Sequence, residues 1–215
     1  MERVAIILRK AVVPNRFRTI VLGCFTSNDL NENLICSGFF QERGKYFAST
    51  CFAAAAPLRP CSKKVTLVGV YNKVWSGDFD TFASGLSGIR CSCGWPVTVV
   101  KRKVSRYHWH AKVFVASKDG EPVVAVIGSS NITARAFGIR KDWNYEADVV
   151  LWDDANKAAQ AIVRGALAPA DTDSEGFGII VSDYSSNDPI NRGLTMREKL
   201  RRLLTEIQEA SDVIE

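Results

Sequence analysis

Two apolar, β-branched runs on either side of a short turn constrain this chain more than any other feature of its sequence. The runs are Lys112–Ala116 and Val123–Ile127, and the turn between them is Lys118–Glu121, with Asp-Gly at its centre. Asp-Gly between two such runs is typical of an antiparallel hairpin. Counting outward from the turn predicts residues near 127 opposite Lys112 and residues near 129 opposite position 110, within about a residue.

Further apolar runs predict the rest of a sheet. The alternation of strands with helices predicts an α/β fold, in which helices flank a mixed β-sheet on both faces. The predicted strands are Thr19–Phe25, Thr66–Tyr71, Val97–Val100, Ala147–Trp152 and a late strand in "FGIIVSDY", and the predicted helices are Asp78–Leu86 and Ala155–Ala166.

The C-terminal segment predicts a further helix. Thr195 and Glu198 have the spacing of a capping box, and a stripe of apolar residues follows them. The stripe consists of Leu200, Leu203, Leu204 and Ile207. This helix either docks on the core or forms a dimer contact. We expect one domain, with a principal part at residues 1–168 and a C-terminal loop, strand and helix at residues 169–215 packed on it.

The composition is that of an ordinary globular protein, with 47% hydrophobic and 24% charged residues. No apolar run is long enough to span a bilayer, and the N-terminal segment does not have the pattern of a signal peptide. We therefore expect a cytoplasmic protein with reduced thiols. Cys91-Ser-Cys93 is a candidate metal ligand pair, but no histidine or second cysteine pair lies at zinc spacing from it. The sequence predicts no metal and no cofactor.

Both histidines of the chain lie in the stretch "YHWHAKVFV". If Arg106–Val115 is extended, then Arg106, His108, His110 and Lys112 share one face of the strand. Burying such a row without an anionic partner would be very costly, so we expect this face to line an open cleft or to meet an anion. The basic residues Lys101, Arg102 and Lys103 precede it, and the net charge of +5 is compatible with a partner that carries phosphate.

The segment "GSSN", Gly128–Asn131, is predicted to lie opposite this face because of the hairpin register. The next stretch, "ITARAF", has helical character, which would place Asn131 near the start of a helix. Helix N-termini present free N–H groups to anions. The spacing therefore predicts a phosphate cradle in which His, Lys, Ser and Asn side chains converge.

Three motifs in order resemble the phospholipase D superfamily. They are His110-x-Lys112, "GSSN", and "WNYEADVVL" with Glu146, and the family pattern is H-x-K-x4-D, G-S-x-N and a later glutamate. The surroundings are similar to the nuclease branch, including restriction-type and helicase-associated members. The resemblance covers roughly residues 105–153 and implies a phospholipase D-like fold. It departs from the family at Ser117, where the family has aspartate, while Asp119 lies within the turn.

The resemblance implies a double displacement through a phosphohistidine, without a metal. His110 is then the nucleophile or the acid, Lys112 and Asn131 hold the phosphate, and Glu146 orients an imidazole. The remaining residues expected to bind substrate are Ser129, Ser130, Lys103, Arg106 and His108. His108 matches no family position, so it is either a helper in phosphate binding or a bystander.

The family mechanism uses two histidine motifs, and this chain contains one. His108 and His110 would lie roughly 7 Å apart and point in parallel, so they could not flank one phosphorus. We therefore expect a homodimer with one composite site. The expected substrate is nucleic acid, with DNA favoured over RNA, and Trp143 and Tyr145 are candidates for stacking on bases. The alternatives are a lipid phosphodiesterase, for which no membrane-binding helix is evident, and a non-enzymatic module that binds nucleic acid.

Overall fold

The computed structural model describes residues 1–55, 61–69, 75–104, 110–168 and 178–214. The strands in this part of the chain are β1 Glu2–Arg9, β2 Glu32–Ser37, β3 Glu42–Arg43, β4 Tyr46–Phe47, β5 Lys64–Gly69, β6 Thr98–Lys103, β7 Lys112–Lys118, β8 Glu121–Gly128, β9 Glu146–Asp153, β10 Ile179–Asp183 and β11 Asp212–Ile214. The helices are α1 Arg16–Thr26, α2 Ala48–Ala55, α3 Ser76–Ser87, α4 Lys157–Leu167 and α5 Met196–Glu209.

Nine of these strands form one sheet in the order β10-β1-β9-β8-β7-β2-β5-β6-β11, and β3 pairs with β4 separately. The β2–β5 and β5–β6 pairs are parallel, whereas the other pairs in the large sheet are antiparallel. The sheet is therefore mixed, as the sequence predicts.

The hairpin of β7 and β8 turns at Asp119 and Gly120, whose φ angles are 52° and 83°. Such left-handed values suit the Asp-Gly pair, because glycine has no Cβ to clash. Lys112 pairs with Gly128, and the register shifts at a bulge between Ala116 and Ser117. The bulge accounts for the one-residue difference from position 127. The predicted register is confirmed at Lys112 within the stated residue, whereas position 110 lies beyond the paired residues of β7.

Helices cover both faces of the sheet, as predicted. The side chains of α1, α2, α3 and α4 join one large apolar cluster on the first face, which includes Phe25, Phe52, Phe82 and Val163. Helix α5 packs its apolar stripe against the second face. The capping box of Thr195 and Glu198 is present at its start. Within the described residues, no helix has both the length and the apolar character needed to cross a bilayer.

The prediction of a strand at Thr19–Phe25 is wrong, because these residues lie in α1. The buried residues of this helix follow a helical period rather than an alternation. They are Arg16, Phe17, Ile20, Val21, Cys24 and Phe25. Asn15 caps the helix by accepting a hydrogen bond from the N–H of Arg18 at 3.0 Å. The β-branched residues Ile20 and Val21 suggested a strand, but the burial pattern and the cap select a helix.

The prediction of a helix after Asn131 is also wrong, because a turn follows instead. The N–H groups of Phe137 and Gly138 donate to the carbonyl of Thr133 at 2.7 and 3.2 Å. The Arg9 guanidinium binds the carbonyls of residues 135, 136 and 138, which a longer helix would need for its own ladder. The anion site expected at a helix N-terminus is therefore absent from this described segment.

Some predictions fall on residues outside the described part of the chain. These are the last residues of the strand predicted at Thr66–Tyr71, most of the loop at 168–176, and the start of the extended segment predicted at Arg106–Val115.

Candidate active site

Five neighbouring strands have one of their ends on the same side of the sheet, and we call this row of strand ends the site edge. Strands β1, β8 and β2 end there, whereas β9 and β7 begin there. The register pairs Arg9 with Glu146 and Lys112 with Gly128. The site edge thus holds His110, Lys112, the segment Gly128–Asn131 and Glu146, which is the set that the three sequence motifs supply.

His110 and Lys112 are in direct contact at the site edge. The Lys112 Nζ lies 3.1 Å from Nδ1 of His110 and 3.5 Å from Nε2. Because an ammonium can only donate, the ring nitrogen that faces it accepts. His110 is exposed, whereas Lys112 is only 5% exposed. The pair therefore presents an accessible imidazole backed by a nearly buried amine.

Two opposing effects act on the pKa of Lys112. Burial lowers it, because the charged form loses its hydration, and the carboxylate of Glu146 raises it in part. Glu146 is itself buried and held in place. The Ser129 hydroxyl donates to its Oε2, and the Asn144 amide donates to its Oε1 at 3.1 Å. The described hydrogen bonds of Glu146 thus go to Ser129 and Asn144, and its role in orienting an imidazole stays a prediction.

Asn131 is positioned by the end of β2. Its Oδ1 lies 3.1 Å from the Ser37 hydroxyl, which also lies 2.8 Å from the carbonyl of Phe39. The N–H of Ile132 donates to the same hydroxyl at 3.3 Å. With Oδ1 facing Ser37, the amide N–H₂ is the end of the side chain left to donate to an anion.

Ser130 lies beneath the site edge, with 2% of its surface exposed. Its hydroxyl donates to Oδ2 of Asp148 at 2.6 Å, and its N–H donates to Oδ1 at 3.2 Å. Burial raises the pKa of Asp148, and these two hydrogen bonds oppose the rise. This placement gives Ser130 a supporting contact, and its expected contact with substrate stays a prediction.

Gly128 is the point where β8 passes closest to β9. A Cβ at this position would lie 2.2 Å from Oδ1 of Asp148 and 2.5 Å from the carbonyl of Ala147. The glycine of "GSSN" is therefore required, because a side chain at this position would not fit. The Ser129 hydroxyl then binds Glu146, the Ser130 hydroxyl binds Asp148, and Asn131 follows as the last residue of the segment.

Asp148 and Arg9 belong to the supporting structure and were not predicted. Asp148 follows Glu146 by two residues in β9, so the alternation of a strand places both carboxylates on one face. This spacing in the sequence could have indicated that Asp148 lies near Glu146 at the site edge. Arg9 ends the apolar strand β1, and its guanidinium lies 5.7 Å from the Trp143 ring while it binds the turn carbonyls. Only the pairing of β1 with β9 reveals its position.

Two of the basic residues that precede the histidines bind other residues of the chain. Lys101 Nζ lies 3.1 Å from Asp80 Oδ1, and Arg102 donates to Ser211 and to the Gln208 carbonyl. Lys103 ends β6 at the same edge of the sheet as the site, beyond β2 and β5. Arg106 and His108 lie outside the described residues.

The departure at Ser117 lies far from the site edge. Ser117 is buried near the other end of β7, where it pairs with Glu32. Asp119 exchanges hydrogen bonds with the Asn31 side chain at 3.0 and 2.9 Å. Neither residue reaches His110, so the substitution does not alter the contacts described for the site.

A group of three thiols lies at the edge opposite the site. Within the described residues, Cys61, Cys91 and Cys93 form the one group of potential metal ligands in which the ligand atoms are all close together. The sequence offers Cys91 and Cys93 as a pair, but a separation of 30 residues between Cys61 and Cys91 hides the third ligand. The fold therefore places a third thiol beside the pair, which spacing alone did not indicate.

Comparison with protein-family models finds no match, and no curated protein sequence matches. Among solved structures, NucT from Helicobacter pylori is 15% identical, with 77% of this chain and 91% of that chain covered and a TM-score of 0.44. Phosphatidylserine synthase from Haemophilus influenzae is 12% identical, with 97% and 46% covered and a TM-score of 0.44. Yeast tyrosyl-DNA phosphodiesterase is 12% identical, with 69% and 31% covered and a TM-score of 0.36.

These three proteins are members of the phospholipase D superfamily, the family that the sequence motifs resemble. The chain spans less than half of the synthase and of the yeast enzyme. Identities of 12–15% and TM-scores below 0.5 are too low to transfer an activity or the role of a residue.

Proposed function

We propose that this protein is a phosphodiesterase of the phospholipase D type that cleaves nucleic acid, DNA in preference to RNA, without a catalytic metal. The observation that carries the proposal is the contact of 3.1 Å between Lys112 Nζ and His110 Nδ1 at an open edge of the sheet. An accessible imidazole beside a cation is the pairing that attack on an anionic phosphodiester requires.

The reaction proceeds in two displacements. An imidazole nitrogen of His110 attacks phosphorus, so that an N–P bond forms while the P–O bond to the leaving group breaks. A second imidazole gives its proton to the leaving oxygen. Water then attacks phosphorus, that second imidazole takes the proton of the water, and the N–P bond to His110 breaks.

Lys112 and Asn131 hold the oxygens of the phosphate. The ammonium of Lys112 is buried, and a cation with few competing waters interacts more strongly with a developing negative charge. Glu146 lies near enough to raise the pKa of Lys112, which favours its protonated form. The Asn131 amide supplies a neutral donor from the other side of the hairpin.

The second imidazole is the partner's His110, in a homodimer with one composite site. The chain contains two histidines, and of these His110 lies at the described site edge, whereas His108 lies outside the described residues. His110 is exposed in the single chain. This exposure is required if a second chain is to bring its own His110 to the same phosphate. A two-fold axis through the site edge would place the two rings on opposite sides of one phosphorus.

A nucleic acid substrate is supported by Tyr145, which precedes Glu146 at the site edge and is 61% exposed. An exposed aromatic ring beside a phosphate site can stack on a base, which contributes about 1–3 kcal/mol. Trp143 is half-buried against Arg9 and is less suited to this role. Lys103 ends its strand at the same edge and supplies a cation for a neighbouring phosphate.

The test incubates the purified protein with labelled DNA, RNA and phosphatidylcholine vesicles in excess chelator. We expect cleavage of nucleic acid that His110→Ala abolishes and that Lys118→Ala leaves intact. Lys118 is the matched control because it is an exposed cation at the far end of the same strand. Lipid turnover would indicate a lipid phosphodiesterase. Binding of nucleic acid without cleavage would indicate a non-enzymatic module, and either result would overturn the proposal.

A second comparison tests the aromatic contact. Tyr145→Ala is expected to weaken the binding of single-stranded DNA by roughly 5- to 150-fold, which corresponds to about 1–3 kcal/mol. Trp95→Ala is the control, because Trp95 is 65% exposed and lies at the opposite edge of the sheet. Equal effects of the two substitutions would count against a base contact at the site edge.

A further inference from the structure

Three cysteines from two separate connections meet at the edge of the sheet opposite the site edge. Cys61 lies just before β5, whereas Cys91 and Cys93 lie between α3 and β6. The Sγ of Cys91 is 3.2 Å from that of Cys61 and 2.8 Å from that of Cys93. All three sulfurs lie within 4.8 Å of one another, and the thiols are free.

The backbone around Cys91 forms a tight turn that brings the sulfurs of Cys91 and Cys93 to within 2.8 Å of each other. The N–H of Gly94 donates to the Cys91 carbonyl at 2.9 Å, and the N–H of Cys91 donates to the Trp95 carbonyl at 3.0 Å. Gly94 has a φ of 86°, which suits glycine.

The closeness of the three sulfurs suits a shared cation. Neighbouring thiolates repel one another, and a cation at their centre attracts all three.

We propose that Cys61, Cys91 and Cys93 bind one Zn²⁺ ion as three thiolates. Thiolate is the ligand that thiophilic ions select, and Zn²⁺ accepts three protein ligands with a fourth position open. Zn–S bonds of about 2.3 Å place tetrahedral sulfurs roughly 3.8 Å apart, so the Cys91 and Cys93 sulfurs need to separate by about 1 Å and those of Cys61 and Cys91 by about 0.6 Å. The fourth position takes water or a small thiol. Binding releases the thiol protons to solvent, so affinity rises with pH.

The ion would stabilise the fold by linking two segments of the chain. The parallel strands β5 and β6 lack the short hairpin that antiparallel neighbours share, and both begin next to the thiols. A metal held by Cys61 and by the Cys91–Cys93 turn ties these two starts together. The group and His110 lie at opposite ends of the sheet, roughly 20 Å apart along the strands. The ion is therefore distinct from the phosphodiester chemistry.

The experiment measures metal binding directly, without reference to activity. The full-length protein is purified under reducing conditions, titrated with Zn²⁺ and separately with Co²⁺, and analysed by elemental mass spectrometry and absorption. We expect one Zn²⁺ per chain, a sulfur-to-cobalt charge-transfer band and the d–d bands of tetrahedral Co²⁺. We also expect Zn²⁺ to raise the Tm, because it binds the native state.

Two cysteine variants and a matched control locate the ion. Cys91→Ser and Cys93→Ser are expected to lower Zn²⁺ affinity by more than about 100-fold, beyond the loss typical for a residue that only orients a ligand. Cys51→Ser is the control, since Cys51 is a half-buried thiol outside the group. If a variant fails to fold, the titration of the unaltered protein still decides the question.

Two results would overturn the proposal. The first is reduced protein that takes up neither Zn²⁺ nor Co²⁺, and the second is equal metal binding by Cys91→Ser and the unaltered protein. Neither of these results bears on cleavage by His110, so the two proposals fail independently.

Discussion

The ammonium group of Lys112 is nearly buried, and the negative charge of Glu146 favours the protonated form of Lys112. Because burial lowers the pKa of Lys112 below its ordinary 10.5, the unfolded chain binds this proton more tightly than the folded one. Stability therefore rises with pH between the lowered pKa and 10.5, while the cation that the proposed mechanism uses is lost over the same range.

The affinity for DNA is accordingly expected to fall at alkaline pH, with a midpoint below 10.5 that follows Lys112, since its ammonium holds the phosphate in the proposed site. Glu146→Gln removes the charge that raises this pKa, so the affinity of this variant should fall at a lower pH. Lys112→Arg should move the fall beyond the measurable range, because a guanidinium stays protonated. Profiles of DNA affinity against pH for the three proteins provide the measurement. A fall at the same pH in all three would show that another group titrates.

Ser130 is expected to stabilise the fold through Asp148. Ser130→Ala removes one donor from a buried carboxylate and should lower the free energy of unfolding by about 1.5–3 kcal/mol, as for hydrogen bonds to charged groups. Ser182→Ala, at an exposed position of β10, should change it by less than about 0.5 kcal/mol. Urea unfolding near neutral pH measures both. Equal stabilities of the two variants would contradict the buried contact.

At the scale of elements, the close approach of β8 and β9 allows a paired test of two glycines. Gly128→Ala would force a Cβ against Asp148 and the Ala147 backbone, so the strands must move apart at the site edge. We expect a loss of stability of at least about 1–3 kcal/mol, as for overpacked cores. Gly165 lies in α4 with nothing within 4 Å of an added Cβ, so Gly165→Ala should stabilise by about 0.5–1 kcal/mol.

Thermal unfolding of both glycine variants measures the difference, and opposite signs are the expected result. A Gly128→Ala protein as stable as the unaltered one would show that the strands are not held this closely. A crystal structure of that variant would then be expected to accommodate the new methyl group without displacement of Asp148.

Local signals account for the elements that the sequence predicted. The Asp-Gly turn and the two runs beside it determine the β7–β8 hairpin, and Thr195 with Glu198 determines the start of α5. Both depend on residues within a few positions of each other. Helix α1 was missed because β-branched residues outweighed its helical burial period. The turn after Asn131 could not be predicted, since it depends on Arg9, more than 120 residues away.

The positions of the proposed site residues were predictable to the same degree. His110, Lys112, Asn131 and Glu146 come together because the hairpin and β9 are neighbours, which the motif order implied. The buried role of Ser130 depends on Asp148 across a strand pair, and the thiol group depends on Cys61 from another connection. Contacts of that kind follow from tertiary packing, which a single sequence does not contain.

At the scale of the whole molecule, the proposed mechanism requires two copies of the chain. Light scattering at micromolar concentration is expected to give twice the mass of 23.7 kDa. Dimers re-formed from equal amounts of unaltered and His110→Ala chains should then lose more than half of the activity, because every mixed dimer lacks one imidazole. A monomeric mass with full activity would contradict the composite site.

Trapping the covalent intermediate tests the role of His110 as nucleophile directly, because it detects the N–P bond itself. The protein is mixed with labelled DNA, quenched at alkaline pH, where a phosphoramidate bond survives, and digested for mass spectrometry. We expect a nucleotide adduct on the peptide that contains His110, and no adduct in His110→Ala. Cleavage that proceeds without an adduct at His110, and that persists in His110→Ala, would contradict the proposed chemistry.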